Sequence, residues 1–401
     1  VSRCPSHSIP ISAGLAPCPC TCHQTPIMSS SVFDYLLRTY KAWGTLAIVL
    51  LTMPLAQEAT AQHTSTIDSL GRAFYTEQQL PGLVVGMVDS SDVRLHLYGV
   101  AALDDSTCLD THTHFEIGSV TKMFTGLLLA TMAEQGAVGL DDPIGSYLPD
   151  SVAAPTANEQ SIRLRHLTTH TSGLPRLPSN FSPADPTDPY ADYTPAQLYA
   201  FLEDVQLSSP PGATYAYSNA GGGLLGHLLA RHAGTTYAAL LEDQVLQPLG
   251  LNDTGIFAPS DTAQSSPATG YTDAGPASYW QWDVLASAGA LYSTPADLLR
   301  FLQVALHPGD HPLASALHAT SHVRHRASGQ LALTLGWHVS PAPDGTDVYW
   351  HNGGTGGFRS FIGMSRAHGT GVIVLANKAL PLRSFNTFTF QIMQAALAPD
   401  A

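Results

Sequence analysis

Ser119-Val120-Thr121-Lys122 opens an apolar stretch that continues through Met123, Phe124, Leu127, Leu128 and Met132. In a helix, positions i and i+3 share a face, so the serine hydroxyl and the lysine amine become neighbours. A hydroxyl is a poor nucleophile until a base takes its proton. A desolvated lysine can be that base, and a backbone N–H at the start of a helix can hold an oxyanion. These four residues also fit an ordinary helix start with a solvated lysine.

Two further segments carry usable groups. Tyr217-Ser218-Asn219 follows the turn Pro210-Pro211-Gly212 and precedes Gly221-Gly222-Gly223, which opens another helix. A tyrosine can share protons with a lysine-activated serine, and Asn219 offers amide donors and an acceptor to a substrate carbonyl and to the lysine. A buried tyrosine beside a helix cap is the plainer reading. His351-Asn352-Gly353-Gly354 ends an apolar strand. Glycines at a strand end let a substrate backbone come close, and their N–H groups can complete an oxyanion hole. A glycine-rich turn with an exposed histidine fits equally well.

These groups need elements to position them. Ile67, Leu70 and Phe74 mark a helix face that ends before Pro81-Gly82. Leu83 to Val88 and Val93 to Val100 read as a hairpin around Asp89-Ser90-Ser91-Asp92. The serine helix closes near Gln135-Gly136. The middle, about 140 to 285, is rich in Pro, Gly, Thr and Asp, with short helices at Pro195 to Leu202 and Leu224 to His232. The long loop from Pro175 to Thr194 is placed to border a cleft. Val348 to His351, Phe358 to Met364 and Gly371 to Ala376 read as consecutive antiparallel strands, and a final helix runs from Phe385 to Leu397. The expected fold class is therefore α+β. Both ends of the chain complete one antiparallel sheet with flanking helices, and a mostly helical subdomain, about 120 to 285, is inserted.

In order and separation, the three segments resemble the class C β-lactamases, D,D-peptidases and penicillin-binding proteins, whose motifs are S-x-x-K, Y-x-N and K-T-G or H-x-G. The surroundings resemble that family too: Leu80-Pro81-Gly82-Leu83, Phe115-Glu116-Ile117-Gly118, Leu167 to Pro175, Ala288 to Thr294, and Leu335-Gly336-Trp337. The resemblance covers roughly 65 to 397. It implies that Ser119 is acylated, that Lys122 helps to deprotonate it, and that Tyr217 acts as base and acid with Lys122. It also implies that Asn219, His351, Asn352 and Gly353 contact the substrate, and that the N–H groups of Ser119 and Gly354 form the oxyanion hole. His351 departs from the lysine of many β-lactamases. An imidazole gains charge only as pH falls through about 6.5, so recognition of a substrate carboxylate is weakened. The H-x-G form is similar to the esterase and D-aminopeptidase branches.

The expected protein is a serine hydrolase of carboxylesterase, D-aminopeptidase or D,D-peptidase type, with weak β-lactamase activity among the outcomes. A non-catalytic penicillin-binding or sensor protein on the same fold is the other reading, and the three intact motifs speak against it. Substrates would be small esters, peptides or amides, with no cofactor. His166 and His170 are spaced i, i+4, but Leu167 stands where a zinc protease needs glutamate, so no metal is expected. His112-Thr113-His114 reads as a surface strand or turn.

The 401 residues are 44% hydrophobic and 12% charged, a globular composition. The net charge of -14 and the lack of a Lys/Arg cluster exclude general nucleic-acid binding. Arg38 and Lys41 precede the apolar run Trp43 to Ala56 and the small-residue pattern Ala59-Thr60-Ala61. Residues 28–61 therefore read as a secretory signal peptide, and the run is short for a membrane span. A secreted or periplasmic protein, with no stable membrane insertion after cleavage, is expected. Residues 1–27, with Cys4, Cys18, Cys20 and Cys22, read as an extension upstream of a start at Met28. That leaves Cys108 as the single cysteine of the presumed mature chain, residues 62–401, where no internal disulfide is expected.

Overall fold

Leu83, Val85 and Met87 point to one face of a sheet and Val84 and Val88 to the other, and all five are buried. A strand buried on both sides needs a layer on each. The computed structural model describes residues 66–90, 92–256 and 267–398. It shows those layers around an eight-stranded antiparallel sheet. The strands are β1 (Gly82–Val88), β2 (Val93–Gly99), β3 (His325–Ser328), β4 (Leu331–Leu333), β5 (His338–Pro341), β6 (Asp347–Gly354), β7 (Arg359–Ser365) and β8 (Thr370–Ala376). Their spatial order is β2-β1-β8-β7-β6-β5-β4-β3. The first hairpin thus pairs with the last strand, Leu83 opposite Ala376, so early and late parts of the chain share one sheet.

The longer helices are α1 (66–77), α2 (Thr121–Glu134), α3 (Pro195–Asp204), α4 (Asn219–Ala233), α5 (Pro295–Leu306) and α6 (Leu382–Leu397). Helices α1 and α6 cover one face of the sheet, where Ile67, Phe74, Phe385, Phe388 and Ile392 join Leu83, Val85 and Val374. The rings of Phe74 and Phe388 stack with centroids 3.9 Å apart. Leu298, Leu299 and Leu302 of α5 are buried against the other face with Val84, Ile362 and Ile373. Thr294 caps α5 by accepting from the Asp297 N–H, with Pro295 in the first turn.

Helix α2 carries the larger part of the argument for the site. A 3-10 turn, Gly118–Val120, leads into it, and twelve of its fourteen residues, from Thr121 to Met132, are buried. A helix apolar nearly all round belongs in the middle of a domain, and Lys122 goes inside with it.

Three elements differ from the sequence reading. Strands β3, β4 and β5 were not expected; they are three or four residues long, and the polar alternation of His325–Ser328 carries little apolar signal. Helix α4 begins at Asn219, five residues before the apolar run at Leu224. The glycines inside it are buried because tertiary neighbours need the room: an added Cβ would lie 2.9 Å from Lys122 Cε at Gly222 and 2.4 Å from Leu285 Cδ2 at Gly223. At 112–114, only His112 is exposed. Thr113 and His114 are buried, with the Thr113 hydroxyl accepting from the Asp110 N–H, so of the expected surface strand or turn only a turn at His112 stands at the surface. No described helix is long and apolar enough to cross a membrane. The expected leader at 28–61 and the stretch 1–27 lie outside the described residues.

Candidate active site

Ser119 sits on the turn before α2, partly open to solvent. One turn later Lys122 is buried, 4% exposed. Its Nζ lies 3.1 Å from Ser119 Oγ, 2.9 Å from Asn219 Oδ1 and 2.6 Å from the Ala288 carbonyl. No described carboxylate pairs with it. Burial drives the lysine pKa well below its ordinary value, and the positive charge of Arg176 lowers it further. Nζ is within donor reach of all three neighbours, and loss of its proton frees a lone pair toward the serine hydroxyl.

Asn219 is placed by the start of α4. The Ser218 hydroxyl accepts from the Gly221 N–H and donates to the Pro175 carbonyl. The Asn219 N–H donates to the Arg176 carbonyl at 2.8 Å. The side-chain amide of Asn219 donates to the Tyr190 hydroxyl at 3.1 Å. Tyr217 is partly buried beside Ser119. Lys122 Nζ lies 5.0 Å and Arg176 Cζ 5.2 Å from its ring centroid. Burial raises the Tyr217 pKa, and the Ser119 hydroxyl and Arg176 offset part of that rise. At neutral pH Tyr217 is therefore a phenol, a proton donor at rest.

The end of β6 abuts the serine turn. A Cβ on Gly353 would fall 2.0 Å from the Ile117 carbonyl oxygen, and a Cβ on Gly118, whose φ is +48°, would fall 2.7 Å from Gly354 N. Only glycine permits both approaches. They bring the Gly354 backbone nitrogen close to the residue before Ser119. Alternation along β6 turns Asn352 away from His351, and its amide donates to Asn386 of α6 at 2.7 Å.

His351 is 1% exposed, and its Nδ1 lies 2.7 Å from the Asn352 carbonyl. As donor there, Nδ1 carries the hydrogen, and Nε2 is a buried acceptor without a hydrogen bond. The ring packs 4.9 Å from His338 and 6.2 Å from Tyr217. Burial, His338 and Lys122 push its pKa well below 6.5. Because the folded value is depressed, the imidazole stays neutral as pH falls from 8 to 6. The ratio of kcat/KM for a carboxylate-bearing ester to that for its neutral analogue should therefore be flat across that range. A ratio that climbs severalfold toward pH 6 would show a charge appearing at His351.

Several residues here escaped the sequence reading. His170 lies 4.3 Å from Tyr217, ring to ring, with a backbone φ of +56°, and accepts from the Ser218 N–H through Nδ1. His338 lies 3.2 Å from the Tyr215 hydroxyl, its pKa lowered to about 4 by burial and Lys122. Together with His351 they form an uncharged aromatic wall against Tyr217. Glu116 is buried three residues before the serine. It accepts from Thr355 Oγ1 at 2.6 Å, the Trp280 N–H at 2.7 Å and the Tyr292 hydroxyl at 3.2 Å. Burial raises its pKa to about 7 against those three bonds. The 175–194 loop brings Tyr190, which stacks on Trp282 at 3.9 Å.

A family model described as β-lactamase matches residues 64–397. The chain belongs to the β-lactamase family. A β-lactamase of Pseudomonas fluorescens is 30% identical over 79% of this chain and 93% of its own length. The D-alanyl-D-alanine-carboxypeptidase/endopeptidase AmpH of Escherichia coli is 28% identical over 77% and 82%. A class C β-lactamase of Rhodobacter sphaeroides superposes with a TM-score of 0.73 at 26% identity, covering 83% of this chain and 99% of its own. A β-lactamase/D-alanine carboxypeptidase of Pseudomonas syringae shares the fold, with a TM-score of 0.73 at 24% identity over 84% of this chain and all of its own. Like the β-lactamase family at large, this chain is a serine hydrolase on a mixed fold of helices and antiparallel sheet.

Proposed function

We propose that the protein hydrolyses small esters or amides through an acyl-enzyme on Ser119. The observation that carries this reading is the buried Lys122 amine, 3.1 Å from Ser119 Oγ with no carboxylate partner among the described residues. Lys122 takes the hydroxyl proton as Oγ attacks the carbonyl carbon. The N–H groups of Ser119 and Gly354 hold the oxygen that becomes negative. Tyr217 donates a proton to the leaving group and recovers one from the protonated Lys122, so one proton passes from serine to leaving group. Water then attacks the ester of Ser119, and the same groups return a proton to Oγ. Asn219 fixes the lysine and offers its amide to substrate, and Gly353 lets the strand end close on the Ile117 carbonyl beside the serine turn. Carboxylesterase or peptidase-like substrates rank above β-lactams, because the neutral His351 supplies no charge at the position where many β-lactamases carry lysine. A fluorophosphonate or labelled penicillin should attach covalently, and peptide mapping should place the label on Ser119. A protein that resists both reagents while folded would be a binding or sensor protein instead.

The reading extends to export. Residues 28–61 have the charge, apolar length and small-residue site of a cleaved leader. N-terminal sequencing of the exported protein should begin close to Ala61. A mature chain that starts near Met28 would mean an anchor.

A further inference from the structure

We propose that Arg176 is the carboxylate anchor of this site, so that the preferred ester or amide carries a free carboxylate within reach of Tyr217. The inference rests on the acyl-enzyme reading above and names the substrate class for it. The Arg176 backbone is pinned, since its carbonyl accepts from the N–H groups of Asn219 and Ala220 at 2.8 and 3.2 Å. Its side chain is exposed and lies over the Tyr217 ring, with Cζ 5.2 Å from the centroid. Among the described residues the guanidinium makes no hydrogen bond and no ion pair. Its charge is felt at Lys122, His170, Tyr190, Tyr215 and Tyr217, which places it at the mouth of the site.

Arg176 is thus held against the Tyr217 ring without a counter-ion among the described residues, in a chain whose net charge is -14. A guanidinium keeps its charge at any working pH and presents a planar fork that matches a carboxylate. The competing positions are closed. His351 is buried and neutral. Arg359, whose Nη1 lies 2.9 Å from a Cβ placed on Gly354, spends Nε and Nη1 on the carbonyls of Leu380, Thr355 and Phe358. The charge absent at His351 is therefore supplied from the opposite motif, at the end of Leu174-Pro175-Arg176.

The test compares matched esters. One pair, para-nitrophenyl pentanoate and the mono-para-nitrophenyl ester of glutaric acid, differs by a carboxylate on the acyl side. The other, phenyl acetate and meta-carboxyphenyl acetate, differs by a carboxylate on the leaving group. In the wild type at least one anionic ester should be preferred, with a KM that rises as salt is added. Arg176→Gln should lower the anionic-to-neutral ratio of kcat/KM for that pair by about 10- to 100-fold, mostly through KM. Arg176→Lys should retain part of it. Any effect through Tyr217 is common to both esters and cancels in the ratio. The affected pair tells which half of the substrate carries the carboxylate. Ratios unchanged in Arg176→Gln for both pairs, or a wild type that turns over only the neutral esters, would overturn the anchor while leaving the acyl-enzyme reading intact. A wild type that hydrolyses none of the four and resists the covalent probes would overturn both.

Discussion

Ser119→Ala should lower turnover of a small activated ester at least about 10⁴-fold and abolish covalent labelling. The expectation follows from geometry: Ser119 Oγ is the partly exposed atom at which Lys122, Tyr217 and the two candidate oxyanion N–H groups converge. Removing one oxygen from a partly exposed turn leaves the packing of α2 untouched. Stability should therefore change by less than about 0.5 kcal/mol, a shift in Tm of no more than about 2 °C. Loss of activity with an unchanged melting curve assigns the chemistry to this oxygen. Activity within tenfold of wild type, with the same melting curve, would remove Ser119 from the mechanism and direct attention to another nucleophile.

Lys122→Ala and Tyr217→Phe should each cost about 10²- to 10⁴-fold in kcat. The double variant should be little worse than the poorer single one, because groups that move one proton between them act as a unit. The structure also assigns a direction in pH. The lysine pKa is depressed by burial and by Arg176, so the base form accumulates as pH rises through that lowered value. The acid limb of the wild-type profile should then belong to Lys122 and be missing from the residual activity of Lys122→Ala. Tyr217, its pKa raised by burial, remains a donor over the same range. Tyr217→Phe should accordingly keep the acid limb and suffer most with substrates whose leaving groups need a proton. A double variant that loses the full product of the two single effects would mean that the residues act in separate steps. Circular dichroism is needed beside the kinetics, since Lys122→Ala opens a cavity next to Gly222.

Much of the frame was legible along the chain. The apolar runs at Leu83–Val88 and Gly371–Ala376 are strands because both faces of the sheet are covered, and they pair with each other as the chain ends suggested. The neighbourhood of Ser119 and Lys122 follows from i, i+3 spacing in a helix and needs no tertiary information. Short strands such as Leu331–Leu333 were not legible, since three residues carry too little periodicity to stand out. Glu116 was hidden for a different reason. Its position before the serine is plain, but its donors come from Trp280, Tyr292 and Thr355, far along the chain.

By itself, then, the sequence determined the family and the pairing of Ser119 with its nearest lysine, because motif spacing within one helix turn and one strand end is a local property. Only the tertiary structure decided the electrical state of the groups. The Lys122 pKa is lowered because Asn219 and Ala288, 97 and 166 residues away, help to bury the amine. His351 is neutral because His338 and the strand around it bury the ring, and Asn352 faces α6 because a strand alternates. Arg176 stands over the Tyr217 ring with its side chain exposed because the start of α4 holds its backbone there. Whether a side chain is charged depends on what surrounds it, and in a folded chain those surroundings come mostly from residues distant in sequence.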